Sequence, residues 1–211
     1  MSCKQGADTM RNRAGPLSGE DGRPAPPSEI EILGSCTING RSVGCIKVVE
    51  LVTALAVAGG RMHRTPLQRR LYEQDIAEST LPTLAYRARR LGIDVRFDRS
   101  GRQFRLYPVP EIDALHVFAL VRSQKVAEAL ALYRGPCLPT SHSPIAEALR
   151  YSLESCLADA VIRSADRKLI RSAARRIETW SFAEHTLRGD DPISMVLGHS
   201  YLGGYGLLSG E

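Results

Sequence analysis

The chain has 211 residues, 43% of them hydrophobic, which is enough for one substantial domain or for one small domain with part of another. Its five cysteines (Cys3, Cys36, Cys45, Cys137, Cys156) are odd in number and scattered, with no CxxC pair, which argues against a disulfide framework or a zinc site and for reduced thiols. The longest apolar stretch, Val48 to Ala58, is interrupted by Glu50 and falls short of the ~20 residues a bilayer crossing requires, so a cytoplasmic protein without membrane contact is expected.

Residues 1–28 are rich in Gly, Pro and charge and nearly free of large apolar groups. They cannot bury enough surface to fold and they lack the apolar segment of a signal peptide, so a disordered tail is expected. From Glu29 the pattern changes to short alternating runs, EIEIL, GSCTING and RSVG, with Asn39-Gly40 as a hairpin turn, which predicts a small antiparallel sheet. Ile46 to Ala58 carries apolar residues at 48, 51, 52, 55 and 56 and stops at Gly59-Gly60, the pattern of a largely buried helix ended by glycine. Met62 and His63 then read as a connector, with His63 at the surface.

Thr65 followed by Pro66 predicts a helix start, with Leu67 and Leu71 as its apolar stripe. After a polar break at Glu73 to Ser79, a second helix starts at Ser79 or Thr80 and buries Leu81, Leu84, Ala85, Ala88 and Leu91. Its opposite side presents Thr83, Arg87 and Arg90, flanked by Tyr86 and Arg89, and Gly92 can end it in a left-handed conformation. Val95 and Phe97, then Phe104 and Leu106, alternate with polar residues around Arg99-Ser100-Gly101-Arg102, which predicts a two-stranded hairpin with a basic tip. Residues 61–107 hold eleven arginines, no lysine and five acids, net +6, whereas the whole chain is +5. The positive charge is therefore concentrated on one helix and one hairpin.

A helix fits the major groove of B-form DNA, and a basic hairpin beside it can reach the adjacent backbone. Either half alone would read more plainly as a solvated arginine face; the two in succession favour DNA.

The order of short sheet, ING turn, buried helix, TPLQRRLYE, STLPTLAYRARRLG and GRQFRL resembles the OmpR/PhoB-type winged-helix domain at the head of the antibiotic-regulatory-protein class of bacterial transcriptional activators. EIDALHVFALV and KVAEALALYRGPCLP resemble the start of the bacterial transcriptional activator domain, and ALALYRGPCLP (Ala129 to Pro139) is the most family-specific string. The resemblance covers roughly residues 29–160. It implies an α+β fold: a winged helix-turn-helix over 29–108, with small antiparallel sheet, three-helix core and hairpin wing, followed over 109–211 by an all-α, tetratricopeptide-like region. It also implies recognition-helix positions at Thr80, Thr83, Tyr86, Arg87, Arg89 and Arg90, and wing positions at Arg99, Arg102 and Arg105. Pro82 departs from the family pattern; proline fits only in a first turn, so the helix must start near Ser79 or Thr80 and is shortened at its groove-facing end.

Beyond Pro139, Ile145, Leu149, Leu153, Cys156, Leu157 and Ala160 form one helical stripe, and Ile170, Ala173, Ala174 and Ile177 a second, with Trp180 and Phe182 near its end. The family's module has several helix pairs, so this region is expected to be abbreviated or completed by another subunit. The GGYG run at Gly203 to Gly206 lacks the strand and the Lys-Ser or Lys-Thr of a phosphate loop. The five histidines show no HExxH spacing, no Ser lies in a GxSxG context, and His185 near Asp190 and Asp191 reads as an exposed acidic loop. No catalytic residue, metal or cofactor is expected. The expected partner is double-stranded DNA, with RNA polymerase and a second copy of the chain as candidates for the helical region. The competing reading is a protein-protein interaction module with a vestigial DNA face.

Overall fold

The computed structural model of the chain describes residues 28–177. The expected tail before residue 28, Trp180, Phe182, the His185 loop and the GGYG run lie outside the described residues. Among the described residues, seven helices and two small sheets make a mixed α+β architecture.

Strands β1 (Glu29–Glu31), β2 (Thr37–Ile38) and β3 (Arg41–Ser42) pair antiparallel as expected. Asn39 (φ 50°) and Gly40 (φ 72°) both adopt the positive φ that a two-residue hairpin turn of this hand requires. Helix α1 (Ile46–Val57) follows, with Val48, Leu51, Val52 and Leu55 fully buried and Glu50, Thr53 and Ala54 buried as well, so it is enclosed on almost every side. The chain after Gly60 forms β4 (Arg61–His63) rather than a connector. Only Met62 of its three residues points inward, too short a run to show a period of two.

Helix α2 (Arg64–Leu71) starts two residues earlier than a Thr65 cap with Pro66 as first helical residue would set it, and no side-chain cap bond closes its N-terminus. The Arg64 N–H is instead taken by the Arg102 carbonyl at 3.0 Å. Helix α3 (Thr80–Arg90) begins where Pro82 requires, and Leu81, Leu84, Ala85 and Ala88 are buried. Leu91 departs from the expected stripe: it is 42% exposed, because the helix has already turned into its terminal motif. Gly92 takes φ 85° and the Ile93 N–H reaches back to the Ala88 carbonyl at 3.0 Å, so it is Ile93 that buries against the core. Strands β5 (Val95–Asp98) and β6 (Gln103–Leu106) form the expected hairpin, and β4 joins it in the order β4-β6-β5. Phe97 is part-exposed but its ring lies 4.8 Å from that of its cross-strand partner Phe104.

The segment expected to open the helical region starts with a strand instead. Strand β7 (Glu111–Ile112) pairs parallel with β1, and α4 begins only at Asp113. The carboxylate of Asp113 accepts the Ile32 and Leu33 N–H groups at 2.9 and 3.1 Å, tying the end of the first sheet to the start of α4 (Asp113–Arg122). Helices α5 (Val126–Leu132), α6 (Pro144–Arg163) and α7 (Arg167–Ala174) complete the layer. The Ser143 hydroxyl caps α6 with Pro144 in its first turn, and Asp166 caps α7. Both expected stripes are inward, except that Cys156 and Ala174 are only partly buried.

These helices share one continuous apolar cluster with α1–α3 and the sheets. The chain at Pro136 to Leu138 lies against β1's end, with Leu138 N–H on the Ile32 carbonyl at 2.8 Å. Glu50, 1% exposed, accepts the Ser141 hydroxyl at 2.7 Å and the Lys47 ammonium at 2.8 Å. Among the described residues no helix is long and apolar enough to cross a membrane.

Candidate nucleic-acid interface

Burial of Leu81, Leu84, Ala85 and Ala88 fixes the rotation of α3, and so fixes which side faces out. Thr83, Tyr86, Arg87 and Arg90, spaced i, i+3, i+4 and i+7, share the exposed face. Thr80, in the first turn, is half-buried. The Thr83 hydroxyl donates to the Ser79 carbonyl at 2.8 Å, which leaves its oxygen free to accept and its methyl free for apolar contact. Tyr86 is 53% exposed, and the Arg90 guanidinium reaches its hydroxyl at 3.4 Å, so the two side chains lie side by side. Arg87 makes one long contact, 3.7 Å to the Cys45 sulfur. No described acid pairs with Arg87 or Arg90.

Arg89 behaves differently from its neighbours. Its guanidinium donates to the Val95 carbonyl at 2.5 Å, which ties α3 to the first strand of the hairpin.

At the hairpin tip, Arg99 and Arg102 are exposed, and neither guanidinium has a hydrogen-bond or ion-pair partner among the described residues. Asp98 organises the turn, accepting the Ser100 hydroxyl at 2.6 Å and the Ser100 N–H at 3.0 Å. The hydroxyl bond, aided by the Gln103 side chain, the Gly101 N–H and the nearby Arg105, holds the Asp98 carboxyl down at about 2 against an opposing desolvation. Arg105, counted among the wing contacts on the resemblance, is committed to Asp98 at 2.7 Å. Arg96 is likewise paired with Asp94 at 2.7 Å.

Sequence reasoning missed two contributors. Arg64 donates to the Glu78 carbonyl at 3.0 Å, bracing the start of α2 against the turn that leads into α3. Nothing in the helical periodicity signals this, because Arg64 belongs to no stripe. Arg41, on the first sheet, borders the end of α3. Its only signal was its place directly after the Asn39-Gly40 turn. His63 is exposed on β4, as expected. Among the described residues no group of three or more His, Cys, Asp or Glu could hold a metal ion.

Comparison with protein-family models returns no match, and comparison with curated proteins returns none either.

Proposed function

We propose that this chain is a DNA-binding transcription regulator of the antibiotic-regulatory-protein type. In this reading α1–α3 with β4–β6 form a winged helix-turn-helix, and α4–α7 form a tetratricopeptide-like module for self-association or contact with RNA polymerase. The observation that carries it is the shared exposed face of Thr83, Tyr86, Arg87 and Arg90, unopposed by acids, beside a hairpin tip bearing Arg99 and Arg102 and braced to the same helix by Arg89.

The mechanism is binding alone. Helix α3 enters the major groove, where Arg87 and Arg90 can bond guanine edges or phosphates and Thr83 can meet a thymine methyl. Arg99 and Arg102 meet the flanking backbone. Each phosphate neutralised releases counterions, so log affinity falls with log salt by ~0.9 per contact.

The test is anisotropy or gel-shift titration of the full chain against genomic fragments at low and moderate salt. Arg87→Ala should weaken binding by ~1–3 kcal/mol if Arg87 reads a base, with relaxed sequence preference. The interaction-module reading draws on Pro82, exposed in the first turn of α3, and on the self-paired Arg96 and Arg105. It predicts no salt-sensitive complex with any fragment, and that result would remove the regulator reading.

A further inference from the structure

A third basic element lies at the end of α3 remote from its first turn. The β2–β3 hairpin and the last turn of α3 enclose a recess of about 420 Å³, bordered by Asn39, Arg41, Ser42 and Arg90. No carboxylate lines it. Arg41 and Arg90 are both exposed, and neither is paired with a described acid.

The position of Arg41 is built rather than incidental. Asn39 is held twice by Glu29: its N–H donates to the Glu29 carbonyl at 2.8 Å and its side-chain oxygen accepts the Glu29 N–H at 2.9 Å. The tight turn and the Ile38↔Arg41 register then fix the backbone from which Arg41 projects. Two guanidinium groups at the mouth of a recess whose other lining includes Ile38, Val43 and Leu91 suit one tetrahedral oxyanion, and the Ser42 hydroxyl offers a further donor. Phosphates line both banks of a major groove ~12 Å wide, so a helix lying in it brings its end against one bank.

We infer that Arg41 and Arg90 together clamp one backbone phosphate of bound duplex DNA, making the β2–β3 hairpin a third contact beside α3 and the β5–β6 tip. This rests on α3 being the groove helix. The clamp orients the protein on the duplex and carries no base information.

The experiment measures affinity of the full chain for one selected fragment from 50 to 200 mM salt. With Arg41→Ala, the slope of log affinity against log salt should shrink by ~0.9, so that the loss across this range becomes ~3.5-fold smaller. The preferred sequence recovered from a random DNA pool should not change, and Arg41→Lys should restore most of the slope. Arg41→Glu should lower affinity further than alanine. Circular dichroism and thermal midpoint should match the wild type for all three, since the exposed Arg41 side chain makes no hydrogen bond or ion pair among the described residues. If Arg41→Ala keeps the wild-type slope while Arg87→Ala weakens binding, the clamp is wrong and the groove assignment of α3 stands. If the wild-type chain binds no fragment, the clamp and the regulator reading fall together.

Discussion

Replacing Glu50 with alanine tests whether the sheet-and-helix half and the helical layer are joined by a buried polar link. Glu50 is 1% exposed; one carboxylate oxygen takes the Ser141 hydroxyl at 2.7 Å and the other the Lys47 ammonium at 2.8 Å. Breaking a buried pair by removing one partner costs ~3–5 kcal/mol, chiefly because the survivor is stranded. Here the survivors are only partly stranded. Lys47 is one-third exposed, keeps the Leu71 carbonyl at 2.9 Å and lies 4.7 Å above the Tyr72 ring, while Ser141 keeps the Ser143 hydroxyl at 3.0 Å. The expected cost is therefore at the lower end, about 3 kcal/mol, which for a protein of this size lowers the thermal midpoint by roughly 6–12 °C. Glu50→Gln retains an acceptor for Ser141 and loses only the charge facing Lys47, so it should fall between alanine and wild type. Urea unfolding with an unchanged m-value measures the difference. A loss below about 1 kcal/mol for the alanine variant would show that this link is not what couples the two halves.

Asp98 sets a pH response at the hairpin tip. Its carboxyl is held at about 2 against an ordinary 3.8. A lowered folded value contributes stability that is complete above the ordinary value and is lost as pH falls through about 2, so the Ser100 and Gly101 amides should exchange faster over that window. Asp98→Asn should exchange at a pH-independent opening rate there; an unchanged wild-type profile in the variant would contradict the assignment. Arg89→Ala removes a charged donor worth ~1.5–3 kcal/mol and frees the hairpin, so it should weaken binding to all DNA sequences alike, and a changed base preference would instead make Arg89 a reader. Arg102→Ala should flatten the salt dependence by ~0.9, whereas Arg105→Ala, already neutralised by Asp98, should change the slope much less; equal slopes would show that the Asp98 pair opens on binding. Gly34→Ala should destabilise by more than ~1 kcal/mol, since φ is +74° and an added Cβ would sit 2.9 Å from the Arg134 carbonyl; neutral chemical denaturation would refute that strain.

Elements with several residues on one face were legible. Helices α1, α3 and α6 and the β5–β6 hairpin repeat their period often enough for burial to follow from spacing. Strands β4 and β7 were not, because two or three residues cannot display a period and their partners are distant in the chain: Met62 faces Phe104 and Ile112 faces Ile30. The start of α2 lies two residues ahead of its expected place for a related reason. A threonine before proline is a local signal, but the Arg102 carbonyl that receives the Arg64 N–H comes from the hairpin. Leu91 shows the opposite limit, a residue in phase with the stripe that the glycine turn carries away from the core. The buried Glu50 centre could not be anticipated, since Ser141 is brought to it only by tertiary packing.

For the candidate site, sequence located the charge but could not say how much of it is available. Arg96 and Arg105 face each other directly across β5 and β6, a like-charge pair that costs stability unless each is compensated. Asp94 and Asp98 supply that compensation, at 2.7 Å in both cases. The stem of the hairpin is thereby neutral, although a count of its arginines makes it look basic. The candidate guanidinium groups left without a described acid are Arg99 and Arg102 at the tip, Arg87 and Arg90 on α3 and Arg41 on the first sheet, with a charge-balanced stem between the tip and the helix that Arg89 ties to α3. A uniformly basic hairpin would attract phosphates along its whole length and fix no register. Two charged ends on a neutral spacer match a duplex only where two stretches of backbone stand at the corresponding separation, so under the proposed function the self-paired arginines would sharpen the geometry of binding even as they reduce the charge available for it.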